Sequence, residues 1–289
     1  MTRPVILTVH AHPDDEASKG APTIAKYRSL GAHTVLVCAT GGEEGSILNP
    51  AMDTPEVQAD IAAVRRAELD LAASVIGYEV VERLGYRDSG MPETPSNDHP
   101  ESFWQADIDE AIGKLVAVMR RERPHVVVTY SDDQQGYQHP DHLKVHDITG
   151  PACDRAADPE WYPESGEPWQ PLKLYYTTWS RARMVAMHEK FLELGMESPY
   201  GDRFANRPDT DHRITTQVPI DGFQYARTEG LLAHATQVDP TSPFWFGLPT
   251  DEANKIHPFD DYILARSLVD TEVPEADLFS GIPDLEWAR

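Results

Sequence analysis

Val5-Ile6-Leu7-Thr8-Val9-His10-Ala11-His12-Pro13-Asp14-Asp15-Glu16 is the stretch on which the reading of the chain turns. Residues 5–9 form a short apolar run of the kind buried on both faces of a parallel sheet. A histidine-proline pair and three consecutive carboxylates come next, placed at the expected C-terminal end of the first strand. Carboxylates crowded together there repel one another and lose solvation, so a bound cation is a natural reason to keep them adjacent. A catalytic metal site is the first expectation.

Apolar runs at 34–38, 126–130 and 172–177, and a weaker one at 79–84, suit further strands, with helical patterns between them at 17–30, 57–76 and 108–121. This alternation predicts a Rossmann-like α/β fold: a doubly wound, mostly parallel sheet with helices on both faces. Such sheets bind ligands outside the strand C-termini, where the strand order reverses. If 126–130 lies beside 5–9, the loop 131–142 lands beside His12 and Asp15. Beyond residue 157 the chain turns rich in proline, tryptophan and charge, then resumes structured patterns at 181–194, 215–220, 225–235 and 262–267. The expectation is a core over 1–180 and a C-terminal elaboration over 181–289, packed on the core within one continuous domain and shaping the substrate cleft.

Gly136-Tyr137-Gln138-His139-Pro140-Asp141-His142 supplies the imidazoles the first motif lacks. A catalytic zinc site takes three protein ligands, commonly His and carboxylate, and leaves one position open, so His12, Asp15 and His142 make that set. Ferrous iron suits the same donors. Asp14, the nearest unassigned carboxylate, is the candidate general base for water. Tyr137 and His139 are candidates to face the oxyanion and the leaving amine, and Asp141 to orient the His139 ring. The competing structural reading makes the first motif a polar turn whose aspartates cap a helix. A second His-rich cluster after another strand weighs against it.

Other residues carry blander expectations. His10 is read as facing the core, with the cleft as the alternative, and Cys38 as a core thiol. His146, four residues after His142, has the spacing for shared ligation and is a minor alternative. Gly41-Gly42-Glu43-Glu44-Gly45 divides evenly between an ordinary turn and a ligand-facing loop. Arg65 and Arg66, beside Glu68 and Asp70, read as solvated surface pairing. Trp179 and Phe244-Trp245-Phe246 read as packing, with a cleft role as the alternative.

The 289 residues hold 48 acidic against 25 basic side chains, a net charge of -23. That balance repels phosphate backbones and anionic headgroups, so neither nucleic acid nor a membrane is an expected partner. Two cysteines suggest no disulfide framework, and no signal-like or long apolar stretch opens the chain, so a cytoplasmic location is expected. No Gly-x-Gly-x-x-Gly follows the first strand, against a dinucleotide site. A non-catalytic sugar or metal binder would need no spare carboxylate beside the metal. Nothing in the residues specifies an oligomer.

Four blocks in order, Ala11 to Glu16, Gly41 to Gly45, Tyr86-Arg87-Asp88-Ser89-Gly90-Met91 and Gly136 to His142, resemble the LmbE-related zinc-dependent N-deacetylases and amidases, in the branch acting on mycothiol and its precursor. The resemblance covers nearly the whole chain. It implies zinc on His12, Asp15 and His142, Asp14 as base, His139 supported by Asp141 at the acid or oxyanion position, and Tyr137 polarising the carbonyl. It further implies that Glu44, Arg65, Asp88 and Met91 contact sugar and inositol hydroxyls, and that Lys19 governs selectivity for the larger, thiol-bearing substrate. Ala17-Ser18-Lys19-Gly20 and Leu232 to Pro240, with Phe244-Trp245-Phe246, look more like the enzymes that cleave mycothiol S-conjugates than the precursor deacetylases. The implied substrate is a small pseudodisaccharide thiol conjugate.

Overall fold

β1 (Val5–His10) is buried along its whole length, as a strand at the centre of a parallel sheet must be. The computed structural model describes residues 2–134, 137–201 and 208–288, so Gly136 of the second histidine motif lies outside the described residues. β1 is joined by β2 (His33–Thr40), β3 (Val80–Tyr86), β4 (Val126–Tyr130) and β5 (Lys173–Thr178), all parallel, in the order β3-β2-β1-β4-β5. The weakest strand of the sequence pattern is therefore real. The C-terminal stretch adds β6 (Thr216–Pro219) and β7 (Phe259–Ser267), β7 running antiparallel to β5 and β6 antiparallel to β7.

Helices cover both faces because successive side chains of a strand point opposite ways. Val5, Leu7 and Val9 pack with residues of α5 (Ile108–Glu122) and α6 (Pro140–Ala157), among them Leu115, Met119, Val145 and Ile148. Ile6 packs on the other face with Ile24 of α2 (Ala21–Ser29) and with Leu69 and Ile76 of α4 (Ile61–Ile76). The chain winds outward from β1 through β2 and β3 on one side and continues through β4 and β5 on the other. The crevice at that reversal lies between the C-terminal ends of β1 and β4.

Two expected helices are broken. The one over 17–30 is α1 (Asp15–Ser18) followed by α2, interrupted at Gly20 with φ 95, where an added Cβ would stand 2.6 Å from the Tyr262 hydroxyl. The one over 57–76 is α3 (Pro55–Ala59) followed by α4, interrupted at Asp60, whose carboxylate caps α4 by accepting from the Ala63 N–H at 3.2 Å. Both breaks come from local chemistry that apolar periodicity does not register.

A buried charge network ties the tail to β5. Lys173 pairs with Glu275, both side chains having 0% exposure, and Glu275 also accepts from Tyr175 Oη at 2.6 Å and Thr216 Oγ1 at 2.7 Å. Glu275→Leu would leave the ammonium buried and uncompensated, with an expected cost of about 3–5 kcal/mol in urea-induced unfolding. A loss below about 1 kcal/mol, the surface-pair range, would contradict this role. Among the described residues no helix is long and apolar enough to cross a membrane.

Candidate active site

Past His10 the chain turns at the sheet edge and enters α1 with Asp14 at φ 114, a region that non-glycine residues rarely occupy. Three hydrogen bonds hold it there. The Asp14 N–H donates to Glu16 Oε2 at 2.9 Å, while Arg65 donates to Asp14 Oδ2 at 3.1 Å and to the Pro13 carbonyl at 2.6 Å. Arg65 also reaches the Gly42 carbonyl and is 2% exposed, so the solvated surface pairing expected for it is overturned. α4 turns this guanidinium inward, where it joins the metal-motif loop to the glycine loop. Gly42, at φ 71, has room for no Cβ, which would fall 2.2 Å from Arg65 Nη1.

β4 delivers the second motif to the same place. His139 is the N-cap of α6, its Nδ1 accepting from the Asp141 N–H at 3.2 Å, and His142 sits in the first turn. Asp15 Oδ2 lies 3.4 Å from His12 Nδ1 and 3.3 Å from His142 Nε2, and the His12 and His142 ring centroids are 5.2 Å apart. One donor atom from each of these three residues falls within 4.8 Å of the others, a spacing that could hold one metal ion.

A second set, His12, Asp88, His139 and Asp141, meets the same spacing. Its geometry differs from the sequence expectation, because the imidazole nitrogen nearest Asp141 is His12 Nε2 at 3.1 Å, whereas His139 Nδ1 stands at 4.0 Å. Asp141 also accepts from the Ser89 N–H at 3.0 Å and from the Ser89 hydroxyl, so its oxygens are already satisfied. His142 Nε2, by contrast, is buried and, among the described residues, makes no well-formed hydrogen bond, its nearest neighbour being Asp15 Oδ2 at 3.3 Å. Burial pushes the His142 ring down to about 3, which leaves it the neutral donor that metal ligation needs. The first set fits a metal better.

Electrostatics point the same way. Burial opposes a charge on His12, yet Asp141, Asp15 and Asp88 together hold its pKa well above the usual imidazole value. Burial likewise works against the Asp15 carboxylate, but Lys19 and His142 hold it well below the usual range. Three carboxylates thus crowd one imidazole, compensated by its proton and by the Lys19 ammonium, which contacts Asp15. A dication would take over that compensation. Burial, reinforced by Asp15 and opposed by Arg65, pushes Asp14 up to about 6, although 31% of its side chain meets solvent. Burial, then the neighbouring His12, lowers His139.

A cleft of about 530 Å³ opens over this centre, lined by Asp14, Lys19, Tyr137, Trp179, Phe244 and Trp245 among others. Trp179, Phe244 and Trp245, expected chiefly to pack with a cleft role as the alternative, thus wall the cleft, while Phe246 does not line it. Tyr137 is 46% exposed at its rim, with its ring 5.2 Å from that of His142. Glu44 bonds Arg87 and accepts from Ser96 Oγ at 2.6 Å, and Met91 is half-exposed. His10 and Cys38 are buried in the interior. His146 lies outside both metal-compatible sets, with its Nδ1 3.1 Å from the Tyr130 carbonyl.

Two contributors were given no role in the site by the sequence. Tyr130, the last residue of β4, donates its hydroxyl to Asp15 Oδ2 at 2.6 Å, accepts from the Ala11 N–H at 2.7 Å and stacks on His142 at 4.2 Å. An aromatic residue ending the strand before the second motif was its available signal. His234 Nε2 stands 2.5 Å from Glu16 Oε1, a contact across 218 residues that no local pattern announces.

A family model described as PIG-L, GlcNAc-PI de-N-acetylase, matches residues 7–153. The mycothiol S-conjugate amidase of Streptomyces coelicolor is 46% identical over 96% of this chain and 97% of its own. The 1D-myo-inositol 2-acetamido-2-deoxy-alpha-D-glucopyranoside deacetylase of Streptomyces avermitilis is 39% identical over 96% and 97%. Among solved structures, the N,N'-diacetylchitobiose deacetylase of Pyrococcus horikoshii superposes with a TM-score of 0.61 at 17% identity, covering 90% of this chain and 83% of its own. A 4-carboxy-2-hydroxymuconate hydratase from Pseudomonas putida reaches the same 0.61 at 18% identity, covering 93% and 99%, so at this distance the likeness describes the fold alone. The chain belongs to the PIG-L, LmbE-like family, and is an enzyme of the class that hydrolyses carbon–nitrogen amide bonds.

Proposed function

We propose that the protein is a zinc-dependent amidase that hydrolyses the amide joining glucosaminyl-inositol to the N-acetylcysteinyl part of mycothiol S-conjugates, releasing an amine and a mercapturic-acid-type product. The observation that carries the chemistry is the convergence of His12, Asp15 and the buried His142 Nε2 beside Asp14. The substrate rests on similarity, over nearly the full chain, to the S. coelicolor amidase. The corresponding role is disposal of thiol-reactive compounds as conjugates.

His12, Asp15 and His142 would hold the ion, with ferrous iron fitting the same donors. When bound, such an ion acidifies water and polarises a carbonyl oxygen. Asp14, fixed by Arg65 and by its own N–H to Glu16, takes the proton of the attacking water at its carboxylate. Tyr137, on the rim, donates its hydroxyl to the developing oxyanion, and His139 delivers a proton to the departing nitrogen. Asp141, through His12 and Ser89, keeps the two motifs in register.

Glu44, Asp88 and Met91 are proposed contacts for the sugar and inositol, whose hydroxyls donate to carboxylates. Arg65 is committed to Pro13, Gly42 and Asp14, so its proposed part is to position Asp14. Residues 181–289 are proposed as an elaboration of one continuous domain that walls the substituent side of the cleft.

Steady-state kinetics on a mycothiol S-conjugate and on N-acetylglucosaminyl-inositol test the substrate. A specificity constant at least about tenfold higher on the conjugate is expected. The opposite order would make the protein a precursor deacetylase. Lys19→Ala is expected to narrow the ratio, since Lys19 lines the cleft beside Asp15.

A further inference from the structure

Next to the cleft lies a second cavity of about 80 Å³, and the two share Trp179, Met184, Leu231, Phe244 and Trp245. Two guanidinium groups line it, Arg183 of α7 (Arg181–Glu193) and Arg227 of the Tyr225–Ala233 helix. Their charge is incompletely balanced. Asp260, which pairs with Arg227, also accepts from the Thr23 N–H at 3.2 Å and from Thr23 Oγ1 at 2.8 Å. Asp261 accepts from Ser180 Oγ at 2.6 Å and Gln217 Nε2 at 2.8 Å, with His257 Nε2 at 2.8 Å.

Both nearby carboxylates are thus engaged by other donors. Among the described residues no carboxylate lies within ion-pair distance of Arg183, whose guanidinium rests over the Trp179 ring at 5.1 Å. Among the described residues, the buried Nε–H of Arg227 has no acceptor. Burial, then the nearby charge of Arg227, pulls Arg183 down to about 10, only partly offset by Asp260, Tyr200 and Asp261. At roughly 30 Å³ per water, the cavity admits a carboxylate on a short stem and excludes a pseudodisaccharide.

We propose that this cavity is an acid-recognising subsite of the cleft, in which Arg183, backed by Arg227, binds a carboxylate carried on the sulfur substituent of a conjugate. The consequence is a preference for anionic over neutral conjugates. Guanidinium pairs bidentately with carboxylate, and the shared aromatic wall offers a flat face to an aryl stem. The proposal rests on the amidase reading for its route from the cleft, not for the pairing itself.

The test compares two mycothiol conjugates alike except at the far end of the sulfur substituent, 4-carboxybenzyl and 4-carbamoylbenzyl. In the wild-type protein kcat/KM is expected to favour the carboxylate by about tenfold or more, the worth of one charge-assisted pair. Arg183→Gln should bring the ratio near one, and Arg183→Lys should leave an intermediate ratio. Reading the ratio within each variant cancels any general loss of activity. A wild-type ratio of one or less, or a tenfold ratio that survives in Arg183→Gln, would overturn the subsite.

Turnover of neither conjugate would instead refute the amidase reading. Calorimetry with the two matching N-acetylcysteinamide S-conjugates, whose only possible carboxylate is the one on the benzyl group, then judges the subsite by itself. Binding about tenfold tighter for the carboxybenzyl compound, lost in Arg183→Gln, supports it, and equal affinities overturn it. Should Arg183→Gln fail to fold, Arg183→Lys decides in its place: a reduced ratio supports the subsite and an unchanged one overturns it.

Discussion

Asp14→Asn is expected to lower kcat by about 10²- to 10⁴-fold, the range of a lost general base, while the protein still binds one equivalent of metal. The substitution suits the site physically. Asn tolerates the left-handed backbone better than most residues, so φ 114 is no obstacle, and its amide oxygen can still accept from Arg65. What it removes is the capacity to accept a proton. Quantifying bound metal by elemental analysis beside single-turnover kinetics separates the two roles. Full activity would take Asp14 out of the mechanism, and loss of the metal would make it a ligand.

His142→Ala carries the second large effect. It deletes a buried ring nitrogen of the centre that, among the described residues, makes no well-formed hydrogen bond, and leaves the stacking face of Tyr130 open. Metal affinity should fall by at least about 100-fold, more than the loss of a supporting hydrogen bond around a metal ligand brings, and activity with it. His146→Ala is the matched control. That ring lies near the Tyr130 carbonyl and outside both metal-compatible sets, so affinity should change little. Equal losses in the two variants would assign the ligand wrongly.

The sheet was legible because its central strands are uniform apolar runs, a pattern set by burial on both faces and hard to mistake. Legibility fell where structure depends on single groups. The breaks at Gly20 and Asp60 come from a close approach by Tyr262 and from a side-chain cap, neither of which disturbs helical periodicity. In the site, the two histidine motifs announced themselves because unlike donors were packed into few residues. Arg65 did not. Its neighbours Glu68 and Asp70 suggested a solvated face, yet Glu68 accepts from the Thr236 N–H and hydroxyl at 2.7 Å while Asp70 pairs outward with Arg83. Which side of α4 faces inward is decided by the tail, 168 residues on. The Glu16–His234 contact is hidden for the same reason.

The choice between the two metal-compatible sets is the centre of the account, and anomalous X-ray diffraction at the absorption edge of the metal, on protein reconstituted with zinc, tests it most directly. The expected result is a single peak at about 2.0–2.2 Å from His12, Asp15 and His142. A peak among Asp88, His139 and Asp141, or none near His142, would contradict it.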